Sequence, residues 1–126
     1  MTRRTATLGP IARMAAVGAL LVLVACGAQA SGDVHTGPGG PDAVQLVARD
    51  NTFEPARIEI PAGQEVEIQT TNEGGTTHDL TVESLDLSTG PIEPGKVATA
   101  TVTVERGETP FRCSMHGGMD GVIVGT

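Results

Sequence analysis

Phe111-Arg112-Cys113-Ser114-Met115-His116-Gly117-Gly118-Met119-Asp120-Gly121 reads as a strand end, a glycine-rich loop and the start of another strand, because Val122-Ile123-Val124 continues it as a β-branched run. Cys113 to Met119 puts a thiol, an imidazole and a thioether into seven residues. Soft sulfur suits Cu(I) and imidazole suits either oxidation state, so these donors together favour copper. Cys113 is expected to keep its sulfur on the core side. Two residues before His116 and two more before Met119 then let all three donors turn back on one point. A trigonal set of one Cys and two His with a weak axial Met still lacks one imidazole. His78 can supply it, since it follows the turn Asn72-Glu73-Gly74-Gly75 and precedes the alternating stretch Asp79-Leu80-Thr81-Val82-Glu83. Zinc is the rival metal, but its structural sites take four Cys or His ligands and a thioether serves it poorly in the fourth place.

Outward from that loop, the chain is a series of short alternating segments. Val44, Leu46 and Ala48 mark one inward-facing set, followed by Ile58 and Ile60, Val66 and Ile68, and Leu80 and Val82. Ala98, Ala100, Val102 and Val104 extend the pattern, and Val122 and Val124 close it. Turn signals separate the segments at Pro61-Ala62-Gly63, Asn72-Glu73-Gly74-Gly75, Pro94-Gly95 and Arg106-Gly107. No helical period intervenes. The pattern predicts one all-β domain over residues 42–126, an antiparallel β-sandwich or barrel of about seven or eight strands. With no Trp or Tyr and two Phe, at 53 and 111, the core is built from Val, Ile, Leu and Ala, with Phe53 and Phe111 packed into it.

Residues 1–25 have the form of an export signal. Arg3, Arg4 and Arg13 make a basic start, and the apolar run of twelve residues from Met14 to Ala25 is too short for a membrane span. The run ends in Leu23-Val24-Ala25-Cys26, similar to the lipobox of bacterial lipoproteins, so Cys26 is expected to be lipidated and to become the mature N-terminus. The alternative for Cys26 is a disulfide with Cys113, the other cysteine of the chain. Residues 26–41 are expected to be the lipidated Cys followed by a flexible Gly/Pro-rich tether, with His35 solvated and idle within it. The expected location is extracytoplasmic, periplasmic or cell-surface, anchored to the cell membrane through Cys26.

Removing the signal takes away three of the eight basic residues and none of the fifteen acidic ones. So acidic a chain is a poor ligand for nucleic acid, whose binding draws on Lys and Arg at the phosphates. The charge solvates the surface or steers docking toward a basic redox partner.

Taken together, the chain resembles the cupredoxins, the small blue copper proteins, most of all the amicyanin and plastocyanin type. The likeness runs from Asn51-Thr52-Phe53-Glu54-Pro55 through Ile58-Glu59-Ile60-Pro61-Ala62-Gly63, Asn72-Glu73-Gly74 and His78 to Phe111-x-Cys113-x-x-His116-x-x-Met119-x-Gly121-x-Ile123-x-Gly125. The resemblance implies a Greek-key sandwich holding one copper ion on His78, Cys113, His116 and Met119. It further implies a monomeric electron carrier with a protein redox partner and no catalytic residues, in which His116 is the electron exit. Two departures stand out. Gly117-Gly118 replaces the Pro that often follows the loop histidine, which implies a looser loop. Asp79 replaces the Asn that commonly ties the two ligand loops, which implies that this tie gives way to a negative charge favouring Cu(II) beside the site. Met115, between two ligands, reads as a surface residue near His116. An extracytoplasmic copper-delivery or copper-storage protein would use the same ligands, and a metal-free interaction module is the reading from another class.

Overall fold

The computed structural model describes residues 33–126, so the signal stretch 1–25 and Cys26 lie outside the described residues. Alternation yields ten strands here: β1 (Val34–Thr36), β2 (Val44–Arg49), β3 (Thr52–Glu54), β4 (Arg57–Ile60), β5 (Glu65–Asn72), β6 (Thr81–Val82), β7 (Leu87–Ser88), β8 (Val97–Thr103), β9 (Gly107–Arg112) and β10 (Asp120–Gly125). They form two five-stranded sheets, in the orders β1-β8-β5-β2-β3 and β4-β10-β9-β6-β7. The inner faces pack Leu46, Ala48, Ile68, Ala100 and Val102 of one sheet against Ile58, Ile60, Val82, Phe111 and Ile123 of the other. Phe53 and Phe111 meet edge to face inside this core, centroids 5.2 Å apart.

The all-β sandwich is as the sequence predicts, with two refinements. First, the sheets are mixed: β2 pairs parallel to β5, and β4 pairs parallel to β10. Between β2 and β5 the chain crosses to the other sheet to form β4, and it returns running in its former direction. Side-chain alternation is the same in parallel and antiparallel strands, so the sequence pattern carries no sign of this. Second, the strand count is higher because β1, β3 and β7 are only two or three residues long, below the length at which alternation is legible.

The tether expectation is corrected at its C-terminal end. Val34–Thr36 is an edge strand paired with Ala98–Ala100 of β8. The next residues fold across the outer face of that sheet: Gly39 N–H donates to Gln69 Oε1 (3.0 Å), Gly40 N–H to Glu67 Oε2 (2.6 Å) and Thr99 Oγ1 to Gly37 O (2.8 Å). Thr99 is fully buried under this strap although it faces away from the core. A composition poor in apolar side chains signals little burial, but here backbone hydrogen bonding orders the segment. His35 lies on exposed β1 and plays no part in the cluster described below.

The last strand also differs in phase from the simple alternation. Ile123 is buried, whereas Val122 and Val124 are only partly so, which makes Gly121, Ile123 and Gly125 the inward set. A continuous Val-Ile-Val run has no polar residue to reveal its phase. Glycine is required at 121 because a Cβ there would lie 2.2 Å from Phe111 Cζ and 2.7 Å from Ala56 O. That close approach seats Phe111, two residues before Cys113, in the core.

Candidate metal centre

The site forms at one end of the sandwich, where β9 and β10 part. Cys113 follows β9, and its N–H donates to Met119 O at 2.9 Å, closing the loop 114–118 as a continuation of the β9–β10 ladder. Gly118 takes a φ of +78° inside it, a conformation that costs glycine little and other residues more. Because the strand alternation that buries Phe111 also buries Cys113, the thiol is 1 % exposed. Met119, at the other side of the closing bond, is fully buried.

His78 arrives from the opposite sheet by a different device. Asn72 ends β5 fully buried, and its side chain is satisfied at both ends: Nδ2 donates to Thr76 O (2.8 Å) and Ile92 O (2.7 Å), and Oδ1 accepts the Gly74 N–H (2.9 Å). This Asx turn shapes residues 73–77, and His78 leaves it in a two-way backbone pairing with Ile92. Asn72, expected only as a turn residue, is thus also the clamp behind His78. An Asn at a strand end two residues before a Gly was the signal available.

His78, Cys113 and His116 come together with one ligand atom each, all within 4.8 Å of one another. Cys113 Sγ lies 3.4 Å from His116 Nδ1 and 4.0 Å from His78 Nδ1, and the imidazole centroids are 4.7 Å apart. On its far side, His78 Nε2 lies 3.5 Å from Thr76 Oγ1. His78 is fully buried, whereas His116 is only partly covered and Met115 beside it is exposed, as expected of a surface residue. Burial, followed by repulsion from His116, pushes the His78 imidazole below its ordinary pKa, which keeps it neutral and able to donate a lone pair. Among the described residues, Cys113 forms no disulfide.

Asp79 corrects a second expectation, because the carboxylate does not give up the loop tie. Its Oδ1 accepts the Ser114 N–H at 2.6 Å, and its Oδ2 accepts the hydroxyls of Ser114 (2.5 Å) and Thr81 (3.0 Å). Burial raises its pKa. Hydrogen bonding from the Ser114 hydroxyl and amide, with smaller contributions from Cys113 and Thr81, outweighs that and holds it below the usual carboxylate range.

A buried thiol, two converging imidazoles and a buried thioether form the donor set of a type 1 copper site, and the residues present fit copper. The sequence matches the profile of the cupredoxin-like domain over residues 14–124, and the chain belongs to that family. Among solved structures, a reduced mutant of amicyanin superposes with a TM-score of 0.63 at 14% identity, covering 76% of this chain and 99% of that one. Auracyanin from Roseiflexus castenholzii gives 0.59 at 17%, covering 70% and 99%. The metal-binding domain of the Cu(I)-exporting P-type ATPase of Streptococcus pneumoniae, solved with Cu(I), gives 0.60 at 18%, covering 67% and 84%. No curated protein sequence is significantly similar.

Proposed function

We propose that the chain is a mononuclear type 1 copper electron-transfer protein. The observation that carries this reading is the buried Cys113 thiol facing two imidazoles, with ligand atoms within 4.8 Å. Copper bound there would supply a one-electron couple between Cu(I) and Cu(II). The chain's own residues would hold that couple steady: Cys113 as thiolate and the imidazoles of His78 and His116 would bind it, and the buried thioether of Met119 would add a weaker donor. The turn closed by Asn72 keeps His78 in place, which limits rearrangement on electron transfer. His116, less buried than Cys113 and His78, is the edge through which an electron passes to a protein redox partner, and the acidic surface steers a basic one. No bond is made or broken, so the protein acts as a carrier and not an enzyme. Structural neighbours described as reduced or oxidised forms of amicyanin and auracyanin support this use of the fold. Delivery or storage of copper would use the same ligands; near-complete burial of Cys113 and His78 favours retention over release.

The N-terminal reading is part of the proposal. Leu23-Val24-Ala25-Cys26 supports lipidation at Cys26 and an extracytoplasmic, membrane-anchored protein. Cys26→Ser should leave unprocessed precursor, and a wild-type protein that is processed normally yet soluble refutes the anchor.

For the site, the test is a visible spectrum with a redox titration of the purified protein. Cu(II) should give an intense blue or green colour that reduction bleaches. A protein that stays colourless with Cu(II), or prefers zinc in competition, overturns the reading.

A further inference from the structure

Asp79 carries a buried charge that forms no ion pair. It is 3 % exposed, and none of the ion pairs among the described residues includes it. The guanidinium of Arg112, on the strand that leads to Cys113, is within Coulombic range of Asp79 but is engaged by Glu83. Three neutral donors hold the carboxylate instead: the amide and hydroxyl of Ser114 and the hydroxyl of Thr81. A buried carboxylate without a cation is costly unless another positive charge is close by. Asp79 follows His78 and its partner Ser114 follows Cys113, so the missing charge belongs at the metal centre.

With Cys113 as thiolate and both imidazoles neutral, Cu(II) leaves the centre at +1 and Cu(I) leaves it at 0. Adding the Asp79 carboxylate makes the cupric site neutral and the cuprous site −1. In a poorly solvated interior the neutral assembly is the more stable one. We propose that Asp79 is a built-in counter-charge: latched onto Ser114, it both positions the Cys113 loop against His78 and biases bound copper toward the cupric state. The inference rests on the copper reading above and deepens it.

The two roles separate by sign. In Asp79→Asn the amide oxygen still accepts the Ser114 N–H while its NH₂ donates to hydroxyls that can turn round. The latch persists and the charge is lost. A unit charge within about 12 Å, at an effective dielectric of about 20, alters an equilibrium by about tenfold or more. Asp79→Asn should therefore keep its colour, melt near wild type as apoprotein, and bind Cu(II) relative to Cu(I) about tenfold less well, a rise in potential of about 59 mV. Ser114→Ala removes a donor that partly neutralises the carboxylate and leaves the charge in place. Its potential should fall, and its apoprotein should melt earlier.

Opposite shifts in the two variants support the counter-charge. Shifts of the same sign, or a coloured Asp79→Asn protein whose potential is unchanged or lower, overturn it. Should Asp79→Asn fail to hold copper, the sign of the Ser114→Ala shift decides alone. A wild-type protein that shows no thiolate colour is a different result, which removes the copper reading and this inference with it.

Discussion

The two loops that meet at the centre are built on opposite plans. Residues 73–77 are fastened from inside by Asn72, whose amide bonds in three directions, and they deliver a fully buried His78. Residues 114–118 are held at their base by the Cys113–Met119 rung and at one edge by the Asp79 latch, and they carry a partly exposed His116 between exposed Met115 and two glycines. One loop supplies a fixed wall, the other a solvent-facing edge. The comparison shows how one site combines steady coordination with access for a partner: rigidity and exposure are assigned to different histidines.

The sharpest way to break this contrast is to exchange what each loop contributes. Cys113→Ser removes the thiolate without touching the Asn72 clamp, so the thiolate colour should vanish completely while the apoprotein melts within a few degrees of wild type. Survival of the intense visible band would show that another ligand carries it. Asn72→Ala does the reverse, keeping all four candidate ligands and releasing the turn behind His78. It leaves the Gly74 N–H and Thr76 O without their partner, so denaturant unfolding of the apoprotein should show a loss of about 2–3 kcal/mol. If stability is unchanged, the loop does not depend on the clamp.

Smaller changes sharpen the comparison within single elements. Gly118→Ala places a Cβ where φ is +78° and should cost about 1 kcal/mol, whereas Gly117→Ala, with open space around it, should stay within about 0.5 kcal/mol. Equal costs at the two positions in urea titrations would contradict this view of the loop. The smallest expected effect is at Thr70, two residues before Asn72 on β5 and equally buried, whose hydroxyl has no partner among the described residues. Thr70→Val should stabilise the protein by up to about 1 kcal/mol. A loss of that size would mean the hydroxyl is bonded in solution.

Much of the site was legible because short-range spacing encodes it. Cys113, His116 and Met119 fall within one hairpin loop, so closing β9 onto β10 brings them together with few alternatives. His78 was reachable because a Gly-rich turn and an alternating strand bracket it. Other features had no such local mark. A Val-Ile-Val run hides its own phase, and β10 proved to bury Ile123. The strap over Thr99 is ordered by backbone amides, which any sequence carries. The Asp79 latch joins residues 35 apart in sequence.

The sequence by itself determined the all-β class, the turn positions and the kind of metal the donors suit, because alternation, glycine placement and ligand softness are properties of residues and their near neighbours. Tertiary structure alone decided which strands run parallel, which histidine is sealed and which partly exposed, and that Asp79 lies buried against Ser114 outside any ion pair. Those are properties of packing. Burial and pairing depend on what the rest of the chain places alongside a residue, and the strength of a charge depends on how much water that packing leaves around it.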